Sequence, residues 1–211
     1  MRKIKIAAIV SLAIASIAIP SAAPAQSAAS QFTARDGSKD FDWEIGTWTT
    51  RVKVRRNPLS GATPDWAEYD GTSVVKPLLG GRANFVELSV AGTRGRIEGG
   101  SLRLYNPKAG QWSLNYATLN GGVLTAPVFG SFDSKGRGAF YGQDTLDGRM
   151  ILVRFLITRP SADEAHFEQA YSVDGGQSWE DNWIAVDTRR KRLTMSPRQS
   201  SSPRHAAAVT S

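Results

Sequence analysis

A glycine and a tryptophan two residues apart, Gly46-Thr47-Trp48, follow the run Phe41-Asp42-Trp43-Glu44-Ile45 and open a strand behind which only short strands come. That order narrows the chain to an antiparallel meander, closed into a barrel or folded into a sandwich. Residues 41–190 are rich in Val, Ile, Thr, Tyr, Phe and Trp. Turn signals interrupt them at short intervals, among them Asn57-Pro58, Gly80-Gly81, Asn106-Pro107, Asn120-Gly121-Gly122, Asp147-Gly148 and Asp174-Gly175-Gly176. No long stretch keeps helical periodicity, so the turns are read as linking strands directly.

Alternation predicts ten strands, over 46–56, 65–76, 83–91, 95–105, 111–119, 123–132, 137–145, 149–159, 164–173 and 178–188. In the first, Trp48, Val52 and Val54 share one face and Arg51, Lys53 and Arg55 the other, as a strand buried on one side requires. The fifth sets Trp112, Leu114 and Tyr116 against Ser113 and Asn115. The eighth is apolar on both faces: Ile151, Val153, Phe155 and Ile157 on one, Met150, Leu152 and Leu156 on the other, broken by Arg154. Both faces need cover, which a plug formed by the segment from Phe32 to Ile45, or a dimer contact, would supply.

The ends read differently from the middle. Arg2, Lys3 and Lys5 precede an apolar run from Ile6 to Ile19 and the small residues Ala23-Pro24-Ala25, the three-part pattern of a secretory signal peptide over 1–25. The run is shorter than the roughly 20 residues that cross a bilayer, and no second one follows. Residues 26–40 are read as a flexible linker, and 191–211, with Pro197, three consecutive serines and Pro203, as a disordered basic tail. The chain has no cysteine, hence no disulfide, thiolate nucleophile or lipoprotein anchor, which fits a periplasmic or secreted protein of a bacterial envelope. Of the net charge of +7, the first 25 residues carry +3 and the tail from Arg189 carries +6, leaving 26–188 at −2. A slightly acidic domain lacks the clustered cations that neutralise phosphates, so nucleic acid is not an expected partner.

Five motifs recur together here. They are Phe41-Asp42 with Gly46-Thr47-Trp48; Gly80-Gly81; Gly100-Ser101-Leu102 with Tyr105-Asn106 and Trp112; Asp174-Gly175-Gly176-Gln177-Ser178-Trp179; and Thr188-Arg189. In this set the chain resembles exported bacterial domains of unknown function with a lipocalin-like, calycin-type barrel. The resemblance implies an up-and-down antiparallel barrel of about ten strands with a short N-terminal plug or helix. It also implies that Arg189 of the last strand lies over Trp48 of the first in a cation–π contact worth about 0.5–2 kcal/mol. Where that family often has an aromatic before Thr-Arg, this chain has Asp187. The resemblance carries no catalytic residue with it.

Ser172 to Trp179 also looks like the Asp-box hairpin of sialidase blades, but a single copy is read as a turn whose glycines permit positive φ. His166 is the sole histidine of the domain; alternation sets it with Glu168 on the outer face, opposite Phe167, Tyr171 and Val173, which argues against a haem ligand. One histidine and no cysteine leave no ordinary zinc site, and no nucleophile elbow or phosphate loop appears. No cofactor is implied. The expected site is a lumen lined by Trp112, Tyr116, Tyr171 and Trp183 around a polar cluster of Arg154, Gln169 and Asp181, with Asp181 and Arg154 meeting inside.

Such a lumen suits a small hydrophobic or amphipathic molecule, bound without chemistry by a monomer or homodimer. The alternatives are a cofactor-free isomerase, cyclase or hydratase using Asp181 and Arg154, and an envelope interaction module with a solid interior.

Overall fold

The computed structural model describes residues 35–191. The expected signal peptide, most of the expected linker and almost all of the tail lie outside the described residues. Ten strands follow in order: β1 Gly46–Arg55, β2 Trp66–Leu78, β3 Ala83–Gly92, β4 Gly95–Asn106, β5 Gln111–Thr118, β6 Val128–Phe132, β7 Gly138–Leu146, β8 Arg149–Ser161, β9 Glu164–Ser172 and β10 Glu180–Arg189. Each pairs antiparallel with the next, and β10 returns to β1, so the sheet closes as an up-and-down barrel. The lipocalin-like architecture expected from the sequence is therefore the observed one.

The seam is set by side chains. Trp48 stands opposite Arg189 in the β1–β10 register. The guanidinium lies 4.1 Å from the Trp48 ring centroid. The same guanidinium donates from Nη1 to the Ile45 carbonyl at 3.1 Å and from Nη2 to the Trp43 carbonyl. Trp48 is fully buried, and its indole N–H donates to the Glu44 carbonyl at 2.7 Å. First strand, last strand and the segment before β1 are thus tied at one point.

That segment plugs the lower end. A 3-10 turn over Asp42–Glu44 follows Phe41, which is buried edge-on against Trp112 and Phe132, with centroids 5.0 and 4.9 Å away, and stacked on Phe140. Residues 35–40 are held too, departing from the expected linker: Gly37 accepts the Trp112 indole N–H at 2.9 Å, and its own N–H donates to the Tyr105 hydroxyl. The plug covers only the inner face of β8. Its outer face is partly covered by the β9–β10 turn, where Trp179 lies beneath Arg154 at 4.7 Å.

Two adjacent glycines let β4 bend around the barrel. A Cβ on Gly99 would lie 2.4 Å from the Tyr116 hydroxyl inside, and one on Gly100 2.1 Å from Phe85 outside. The absent side chains make room for two aromatic rings on opposite faces. β6 is shorter than predicted because residues 123–127 pair with β5 irregularly: the Thr125 N–H donates to the Tyr116 carbonyl at 2.7 Å, while the Thr125 hydroxyl accepts the Tyr116 N–H at 3.1 Å. A side chain there stands in for the ladder carbonyl. Among the described residues no helix is long and apolar enough to cross a membrane.

Replacing Arg189 by lysine keeps the charge over Trp48 but loses the fork onto two carbonyls. The variant is expected to unfold in urea with an unchanged slope and a stability lower by about 1–2 kcal/mol; a midpoint equal to that of the wild type would contradict the clamp.

Candidate functional site

Phe41, Trp112, Phe132 and Phe140 pack into a solid base at the plugged end of the barrel. Above it lies a cavity of about 430 Å³. Its walls are mainly apolar, from Val52 and Val54 of β1, Val86 and Leu88 of β3, Leu114 of β5, Val153 and Phe155 of β8, and Phe167 of β9. Its mouth lies among the upper loops, where Leu119, Val123 and Leu124 of the β5–β6 loop are exposed.

The polar groups collect at two levels. At the floor, Asp187 of β10 lines the cavity beside Thr50 of β1 and Ser73 of β2. The Thr50 hydroxyl donates to Asp187 Oδ1 at 2.5 Å, and the Ser73 hydroxyl lies 3.3 Å from the same oxygen. Next to them Arg103 of β4 forks onto Glu44 while lying 4.3 Å over the Phe41 ring. Burial pushes the Asp187 carboxyl up to about 6, and the nearby Glu44 charge adds to the rise; Thr50, Ser73 and Arg103 oppose it. At the upper level, the Gln169 amide donates to the Tyr171 hydroxyl and to Asn182 Oδ1, both at 3.2 Å. Arg55 at the mouth pairs with Glu180 at 3.1 Å.

Among the residues expected from the sequence, Tyr116, Gln169, Tyr171 and Trp183 line this cavity. Burial raises the pKa of both tyrosines, and the Tyr116 hydroxyl, lying over Gly99, is buried without a hydrogen-bond partner. Trp112 faces inward but belongs to the packed base, in the cluster around Phe41, and does not reach the cavity.

Arg154 and Asp181 are corrected. They do meet, at 4.0 Å, but on the outer face, with Asp181 about half exposed. Arg154 points outward by plain alternation, since its neighbours Val153 and Phe155 line the cavity. For Asp181 the cause is a bulge in β10: Asp181 pairs with Ala170 and Trp183 with Gln169, leaving Asn182 as an extra residue. The bulge turns Asn182 inward beside Trp183 and Asp181 outward. The polar cluster of the lumen is therefore Gln169, Tyr171 and Asn182, with a second cluster around Asp187 that the sequence reading missed. Strand parity carried a signal for it, since Asp187 shares its face with Trp183 and Arg189.

His166 sits on the outer face, its Nε2 2.6 Å from Glu164. The Ser172–Trp179 turn is held by its own side chains. Asp174 accepts from the Ser178 hydroxyl at 2.6 Å, from the Ser178 backbone N–H at 3.0 Å and from the Ser172 hydroxyl at 2.7 Å, which hold its pKa far below the usual carboxylate range. Gly175 and Gly176 adopt φ of 76° and 88°.

No family model and no curated protein matches the chain. Solved structures do. The S-type phycobiliprotein lyase CPES from Guillardia theta is 11% identical, with a TM-score of 0.51 over 72% of this chain and 91% of that one. The Rv2717c protein of M. tuberculosis is 15% identical, with a TM-score of 0.51 over 74% of this chain and 98% of that one. The chain shares their fold. At such identity the likeness extends no further.

Because Asp187 binds its proton more tightly folded than unfolded, its contribution to stability is complete below its ordinary pKa of 3.8 and is lost as pH rises through about 6. Unfolding followed from about pH 4 to about pH 7 should therefore show Asp187→Asn gaining on the wild type by on the order of 2–3 kcal/mol. Parallel pH profiles for the two proteins would contradict the burial of a titrating Asp187.

Proposed function

We propose that this chain is an exported bacterial protein whose barrel holds one small, mostly hydrophobic molecule, without chemistry of its own. The observation that carries this reading is the unfilled, largely apolar cavity of about 430 Å³ between an aromatic base and an open mouth. Pockets of a few hundred Å³ with apolar walls and a few placed polar groups are the usual form of small-molecule sites. An interaction module with a solid interior is disfavoured by the same cavity. Export is supported by the charged start, the apolar run and Ala23-Pro24-Ala25, and is checked by sequencing the mature N-terminus of the protein from its own cells. A start at Gln26 is expected, and an intact Met1 would contradict it.

A second reading, a cofactor-free enzyme, is favoured by one feature: Asp187, with a carboxyl near 6 in an apolar cavity, has the proton affinity of a general acid or base. The acid–base role assigned to Asp181 from the sequence would fall to Asp187.

Binding is tested with the neutral fluorophore N-phenylnaphthylamine, read by the rise of its own emission and by quenching of tryptophan fluorescence. Saturable one-to-one binding is expected. Ala185→Trp, which fills the lumen opposite Val52, should weaken it by about tenfold or more, a loss of roughly 1.4 kcal/mol. Asp181→Asn, on the outer face, should bind as the wild type does. Binding insensitive to Ala185→Trp would sink the lumen reading.

A further inference from the structure

We infer that the lumen selects an amphiphile by an amine head, seated as an ammonium against Asp187 at the floor, and rejects amphiphiles with anionic heads. This rests on the ligand-binding reading above. The cavity is lined by five charged side chains: Glu44, Arg55, Arg103, Asp144 and Asp187. Both cations are already charge-paired with carboxylates, although each keeps a buried Nε–H without a hydrogen-bond partner. Arg103 is held by Glu44 and the Phe41 ring, and Arg55 by Glu180. No lysine lines the cavity. Among the described residues neither Asp144 nor Asp187 has a cation within salt-bridge distance. An anionic head would therefore meet two carboxylates and no free cation, in surroundings where an unpaired buried charge is costly.

Asp187 is also built to accept. Thr50 and Ser73 hold its Oδ1, whereas Oδ2 takes no hydrogen bond from the described residues and is left to the lumen. The charged groups facing it are Glu44 from the 3-10 turn and Arg103 from β4, which neutralise one another; Arg189, two residues further along β10, is turned to Trp48 and the carbonyls of Trp43 and Ile45. On its other side, β9 presents Ala165. The floor therefore carries one uncompensated negative charge when Asp187 is ionised. A bound ammonium would cancel it in a charge-assisted hydrogen bond while its apolar body occupies the walls above.

Protonation of Asp187 removes the charge, so amine affinity falls as pH drops through about 6. Imidazoles titrate in the same window, but His166 lies outside the barrel on Glu164, so His166→Gln should keep the profile.

The test is calorimetric titration of the whole protein with three ligands that share one body: naphthylmethylamine, naphthalenemethanol and naphthoate. At about pH 7.5 the amine should bind about tenfold or more tighter than naphthoate, with the alcohol between them, and at about pH 5 the amine should lose about tenfold. In Asp187→Asn the amine should lose its advantage and bind no tighter than the alcohol, at either pH. The pH profile of the wild type tests the same point should that variant fail to fold. Equal binding of all three ligands would overturn the head-group inference and leave the lumen reading standing, and so would an amine preference that survives in Asp187→Asn. Binding by none of them would overturn both.

Discussion

The Trp48–Arg189 contact is the constraint on which the rest of the barrel depends. A meander closes only if its first and last strands meet in register, and here the register is pinned by a guanidinium over an indole. The same guanidinium takes the carbonyls of Trp43 and Ile45, so closing the sheet also sets the plug in place. Phe41 then completes the aromatic base with Trp112, Phe132 and Phe140. Above that base the aromatics Tyr116, Phe155, Phe167, Tyr171 and Trp183 line the lumen without closing it. The cavity is a consequence of where the bulky residues fall along the strands.

Asp187 lies one inward position above Arg189 on the same strand. An aromatic there would extend the packed base upward. The carboxyl instead ends the base and gives the cavity a polar floor, at a cost in stability above about pH 6 that Thr50 and Ser73 only partly offset. Folding alone gives no reason to keep such a group, whereas a ligand that completes its hydrogen bonds does. The neighbouring Arg103–Glu44 pair is balanced in charge, with the buried Arg103 Nε–H left without a partner.

Most of the fold was legible because one physical rule, alternation with one face buried, operates in nearly every strand. Trp48, Val52 and Val54 announced the inner face of β1, and the turn glycines marked most strand ends within a residue or two. The errors arose where a local event broke the rule. Thr125 replaced a ladder carbonyl and shortened β6. The bulge after Asp181 exchanged Asn182 for Asp181 in the lumen and turned Asp181 out to Arg154. Alternation also reports a face and not a depth: Trp112 was correctly placed inward, but nothing in the strand pattern could show that Phe41 would come up from the plug to meet it. Asp187 stands out as a departure from the resembled family, and its parity with Trp183 and Arg189 sets it on the inner face.

The decisive measurement is a crystal structure of the protein with a brominated arylalkylamine, phased on the bromine. Anomalous density is expected inside the barrel between Val52, Phe155 and Phe167, with the amine nitrogen in hydrogen-bond contact with Asp187. Bromine found only on the outer surface, or a lumen closed by inward-turned side chains, would contradict this placement.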